Sequence, residues 1–211
     1  MNIRTAPLHH WLKTPLGQRL LNAEVELLQQ ILPQLFGYHL LQIGSVGHGR
    51  LLDSSRIMHR CVLSRHADLI GHPYSSVYAL ADALPFAHDS IDVVLLPHTL
   101  EFEDHPHEIL REVERVLIPE GHIVILGFNP ISLWGISRWF LAHRQTAPWC
   151  GRFLTVLRLK DWLALLGFEV IELQFFFFAF PFHNDRLKNY TTSLEKIAAH
   201  KEKKLGVVYL L

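Results

Sequence analysis

Residues 81–94 read Ala81-Asp82-Ala83-Leu84-Pro85-Phe86-Ala87-His88-Asp89-Ser90-Ile91-Asp92-Val93-Val94, and residues 110–121 read Leu110-Arg111-Glu112-Val113-Glu114-Arg115-Val116-Leu117-Ile118-Pro119-Glu120-Gly121. The first stretch sets an acid before a Leu-Pro-Phe turn and then enters a run, Ile91–Pro97, that is apolar at nearly every position. A strand covered on both faces reads this way. Residues 105–117 put Ile109, Leu110, Val113, Val116 and Leu117 on one helical face,. Pro119-Glu120-Gly121 breaks that helix, and His122–Gly127 is a second buried strand,.

Towards the N-terminus, residues 16–35 carry Leu16, Leu20, Leu21, Val25, Leu28, Ile31 and Leu32 at helical spacing, closed by Pro33 and Gly37,. A short apolar strand, Tyr38–Ile43, ends at Gly44. The loop Gly44-Ser45-Val46-Gly47-His48-Gly49 follows, and the spacing then predicts a helix through Leu51, Leu52 and Ile57. Arg60–Ser64 and Ser76–Ala79 read as two further strands. Strands alternating with helices predict an α/β fold, a doubly wound and mostly parallel seven-stranded sheet. The C-terminal part differs. A helix over 159–166 stops at Gly167, a long strand runs over 168–178, and Gly206–Leu211 forms a last strand pairing antiparallel with it as an edge hairpin. The expected organisation is one domain over 1–211. It comprises an N-terminal helical segment (1–37), a ligand-binding half (38–127), an aromatic insertion or lid (128–158) and a C-terminal helix with strands (159–211).

The totals narrow the function. With 211 residues, 49% hydrophobic and 19% charged, the chain can bury a sizeable core,. Its formal net charge is zero, so no basic surplus exists to neutralise phosphates, and nucleic acid is not the expected partner,. Cys61 and Cys150 lie far apart and form no ligand spacing, which predicts a reducing, cytoplasmic setting,. The start of the chain lacks the apolar stretch of a signal peptide. The run Gln174–Phe182 is far shorter than the roughly 20 residues that span a bilayer.

The Asp82–Val94 and Leu110–Gly121 stretches together resemble the class I methyltransferases that use S-adenosylmethionine (SAM), in the group acting on small molecules. That family shows an acid-Ala, Leu-Pro-Phe, a short acidic turn, Ser-Phe-Asp-Val-Val, and later Leu-Arg-Glu…Arg-Val-Leu-Lys-Pro-Gly-Gly. The resemblance runs continuously over 38–127 and implies a Rossmann-like fold, SAM as cofactor and methyl transfer. It also implies that Asp82, with the Ala83 amide and Leu84, receives the adenine ring. Gln42 stands where the family ends its first strand with an acid. Gly44 matches the first glycine of the family's Gly-x-Gly-x-Gly, Val46 and His48 stand in place of the others, and Gly47 and Gly49 are offset. Ser45 and Gly47 complete the expected loop contacts. Ser64 or Arg65 occupies the end of the second strand, where the family places an acid for the ribose, and Asp68 is a substitute if the loop folds back.

Pro97–Asp104 follows the fourth strand. By the resemblance this loop faces the transferred methyl group, which makes His98 and Glu101 the candidate general bases and adds His98 to the cofactor contacts. A wall-forming or capping role for His98 stands beside that reading. His105 and His107 are two apart at a helix start and face different directions, so no metal is expected,. Ile131–Phe140, with Trp134 and Trp139, reads either as a substrate lid or peripheral membrane face, or as a helix packed on the domain,. Two functions follow: a SAM-dependent methyltransferase for a small, hydrophobic acceptor, and a catalytically inactive methyltransferase-fold binding or scaffold protein.

Overall fold

The computed structural model describes residues 5–65, 73–132, 134–135, 149–177 and 208–210. Two helices, α1 (Thr5–Leu12) and α2 (Pro15–Ile31), precede the first strand. Five parallel strands follow: β1 (His39–Ile43), β2 (His59–Ser64), β3 (Ser75–Tyr78), β4 (Ile91–Pro97) and β5 (Leu117–Phe128). A short helix α3 (Thr99–Phe102) and the longer α4 (Pro106–Val116) join β4 to β5. Then come α5 (Val156–Leu165), β6 (Gln174–Phe176) and β7 (Val208–Leu210). The sheet order is β3-β2-β1-β4-β5-β7-β6, with β7 antiparallel to both of its neighbours. The α/β fold and the antiparallel edge pair expected from the sequence are therefore present, with β6 as the outermost strand.

Alternation along the strands sends side chains to two cores. In β1, Leu40 joins Leu20, Leu28 and Phe128 on the α1/α2 face, while Leu41 and Ile43 join Ile109, Leu110 and Val113 of α4 on the other. Thr14 caps α2 by accepting from the Gly17 amide, and Pro15 opens the helix, where its missing N–H has no partner to lose,. The described residues include no helix long and apolar enough to cross a membrane.

The N-terminal segment contains a helix over Thr5–Leu12. Three local expectations need correction. The helix expected through Leu51, Leu52 and Ile57 is an irregular series of tight turns, Val46–Leu52. Gly47, His48 and Gly49 all have positive φ there, which ends helical propagation,. Pro119-Glu120-Gly121 does not open a gap before β5. The strand already begins at Leu117, opposite Ile91, with an irregularity between Ile91 and Val93. The long strand expected over 168–178 is paired only at 174–176, because β7 offers three residues, 208–210, to pair with. Most of the aromatic insertion, including Trp139, and the position of Asp68 lie outside the described residues.

Candidate functional site

In the order β3-β2-β1-β4-β5 the chain reverses direction of travel between β1 and β4. Open α/β sheets bind ligands at such a switch point, beyond the carboxyl ends of the strands. A cleft lies there. Its walls come from Ile43–Val46 after β1, Leu63–Arg65 after β2, Ala79 and Ala81 after β3, Pro97–Thr99 after β4, Phe102 and Glu103, with Leu8 and His9 of α1 across it. The room left is about 40 Å³, enough for a few water molecules.

The loop after β1 is fastened from several sides. The Gly44 amide donates to the Leu63 carbonyl at 2.7 Å. Gly44 has φ +100°, and an added Cβ would stand 3.2 Å from Thr99 Oγ1, so glycine serves both the turn and the close approach. Gln42 is buried and donates through Nε2 to the carbonyls of Gly44 (2.6 Å) and Val46 (2.9 Å). It thus shapes the loop from behind. Ser45 Oγ lies 3.2 Å from His9 Nε2 and donates to Ser64 Oγ at 3.4 Å, and Arg65 pairs with Glu103 at 3.5 Å.

Behind the opposite wall is a buried charge cluster. His98 has φ +54°, a left-handed conformation, and its ring stacks on Phe128 with centroids 4.1 Å apart. Its Nε2 is 2.7 Å from Glu24 Oε1 of α2, and its Nδ1 is 3.9 Å from Glu101 Oε1. The Phe128 amide donates to that same Glu101 oxygen at 2.6 Å. All three side chains are essentially inaccessible. Burial alone would pull the His98 pKa down. The charge of Glu24, its bond to the ring and the nearby Glu101 outweigh this and raise it to about 9,.

The turn carrying Asp82 is also braced. Arg115 reaches from α4 to the carbonyls of Leu84 and Phe86 and pairs with Glu112, which accepts from the Leu84 amide at 2.9 Å. The Arg115 guanidinium and that amide hold the Glu112 carboxyl below its usual pKa, against the opposing effect of burial. Asp82 is half-buried, Leu84 is buried and Ala83 is exposed.

Of the residues expected from the sequence, Gly44, Ser45, Ser64, Arg65 and His98 meet around the cleft. Asp82, Ala83 and Leu84 follow directly on its wall residue Ala81. Gly47 is turned instead towards Leu51 and Leu21, and Gln42 and Glu101 sit in the second layer. The sequence reading missed Glu24. Its signal was an acid four residues after Leu20 and four before Leu28, on the apolar stripe of α2,. Trp134 is fully buried, with ring centroids 5.6 Å from Trp11 and 5.3 Å from Trp149. It packs on the domain and presents no face to a membrane.

Residues 47–125 match the family described as "Methyltransferase domain". Over that segment the chain is similar to a methyltransferase domain. The fold agrees with a SAM-dependent methyltransferase of Thermotoga maritima, at TM-score 0.71 and 17% identity, over 95% of this chain and 90% of that one. A SAM-dependent methyltransferase of Archaeoglobus fulgidus gives TM-score 0.63 and 20% identity, over 92% and 95%. The uncharacterized protein YafS of Escherichia coli is 38% identical over 164 residues, which are 77% of this chain and 65% of YafS. The chain thus spans less than two thirds of that relative.

Proposed function

We propose that this protein is a cytoplasmic, single-domain methyltransferase that binds SAM in the β1/β4 cleft and methylates a small, hydrophobic acceptor. The observation supporting the proposal is the Gly44 turn in the cleft wall, where a Cβ would press on Thr99, together with the braced Asp82 turn that directly follows the wall residue Ala81. In this reading the two turns receive the cofactor's two ends. Asp82 has a half-exposed carboxylate for the adenine amino group, and Leu84 lies against the turn as an apolar neighbour,. Ser64 and Arg65 line the cleft and in this reading hold the ribose hydroxyls, with Arg65 steered by Glu103. When bound, SAM supplies an activated methyl group for in-line transfer, and the protein's part is to place the acceptor. His98 keeps its proton up to about pH 9, so in this reading it holds charge at the site, and acceptor activation does not depend on it at neutral pH.

Isothermal titration of the purified chain with SAM and with S-adenosylhomocysteine tests the reading. Binding of both in the micromolar range is expected, and absence of heat at millimolar ligand overturns it. A second reading, a catalytically inactive binding or scaffold module with weakened or lost SAM binding, is favoured by one observation: the cleft holds only about 40 Å³ while Leu8 and His9 lie across it. Absence of heat with both ligands from a folded chain would select it.

A further inference from the structure

We propose that the groove at the end of the sheet opposite the cleft is a slot for an extended basic peptide of a partner protein, which adds there as a strand. The groove offers about 750 Å³, within the range of pockets that enclose whole ligands. His122, Ile123 and Val124 of β5 form one side of it, and Phe168, Val170 and Glu172, on the way into β6, form the other. The strand β7 lies between β5 and β6 but pairs with β5 only over 126–128 and with β6 only over 174–176. Two strands that share one neighbour stand two strand spacings apart, about 9.5 Å, so the gap past Leu210 is one strand wide. On its inner side β5 is paired to β4 over His122–Leu126. Among the described residues, no backbone bond reaches its outer side over 122–125, or residues 169–173 across the gap. Beyond His122 the edge is closed by a bulge, residues 118–121 against Asp92 alone, in which Glu120 has φ +65°,.

The lining says which peptide fits. Asp89, Glu114, Glu120, Glu169 and Glu172 all face the groove, and among the described residues no lysine or arginine does. Ile123, Val124, Leu166 and Val170 supply apolar wall between the carboxylates. Successive side chains of a strand point to opposite faces. A peptide alternating Lys or Arg with β-branched residues therefore sets cations among the carboxylates and apolar groups on the wall, while its backbone pairs with the β5 edge. The sequence leaves that edge open to pairing. Folded proteins blunt free edges with lysine or proline, and His122-Ile123-Val124-Ile125 contains neither. The proposal is independent of what the β1/β4 cleft binds.

The probe is a fluorescein-labelled peptide in which Lys and Val alternate, titrated into the whole chain by fluorescence anisotropy at about 0.15 M salt. A Kd of about 1–100 μM is expected. A peptide of equal charge with a central Val replaced by Pro cannot donate to the edge and should bind at least about tenfold more weakly. The double variant Glu169→Lys, Glu172→Lys changes two exposed side chains; it should weaken the Lys-Val peptide by about tenfold with an unchanged urea midpoint. Amide hydrogen exchange over 122–125 should be fast in the free chain and slowed by the peptide. No binding by the wild type overturns the proposal, and equal binding of the Pro peptide does so by reducing the contact to charge alone. Slow exchange over 122–125 without peptide overturns it as well, because the edge is then already covered. A wild-type dimer in sedimentation velocity that the double variant disperses puts a second copy in the slot and overturns the peptide as its occupant.

Discussion

Raising the pH from 6.5 to above 9 should weaken the fold through His98. In the folded chain its imidazolium is held between Glu24 and Glu101 and keeps its proton to about pH 9, against 6.5 for an unperturbed histidine. Below pH 6.5 the folded and unfolded states both carry the proton, and the full stabilisation is present. As pH rises the unfolded state releases its proton first, and the contribution is gone once the folded pKa is passed. The gap between 6.5 and about 9 corresponds to about 3 kcal/mol, at about 1.4 kcal/mol per pH unit. Cys61, whose thiol is pushed up by burial, also titrates in alkali, so the comparison must be differential. Urea unfolding at a series of pH values, for wild type and for His98→Asn, isolates the term. The wild type should lose about 3 kcal/mol more than the variant across that window. Superimposable pH profiles would refute a buried imidazolium held by two carboxylates.

Three further outcomes are expected. Gly44→Ala forces a side chain into φ +100° with its Cβ 3.2 Å from Thr99 Oγ1; it should cost about 1–3 kcal/mol in urea unfolding and abolish S-adenosylhomocysteine binding by titration. Trp134→Ala empties the centre of the ring cluster with Trp11 and Trp149 and should lower stability by about 3–5 kcal/mol, with no change in liposome co-sedimentation. Asp82→Ala should weaken 5′-methylthioadenosine and S-adenosylhomocysteine alike by about tenfold, since both carry adenine; unchanged affinity removes Asp82 from the adenine contact.

The buried strands were legible because a parallel sheet covered on both faces leaves a nearly continuous apolar run, as Ile91–Pro97 shows,. The amphipathic α4 was legible for the matching reason, since Ile109, Leu110, Val113 and Val116 all fall on its buried face. The stretch 46–52 was misread because Leu51 and Leu52 are buried as a helix would bury them, while three consecutive positive φ values at Gly47, His48 and Gly49 set the path. Ser45, Ser64 and His98 could be placed near the cleft because strand ends of a doubly wound sheet converge there,. Glu24 could not, because nothing local links an acid on α2 to a histidine 74 residues later. Only the packing of α2 over the ends of β1 and β4 brings them together.

Leu8 and His9 give the N-terminal helix a consequence for rates. A nucleoside needs more room than about 40 Å³, so if the proposed site is right, binding requires α1 to shift from the cleft mouth. The hinge is tight: at Gly17 an added Cβ would collide with the Trp11 carbonyl, and Thr14 ties the same carbonyl to the cap of α2. Ligand capture should therefore follow a unimolecular opening step, and stopped-flow rates should level off as ligand concentration rises. Release would meet the same barrier from inside, so residence time would be set by how often one short helix lifts as well as by the contacts in the cleft.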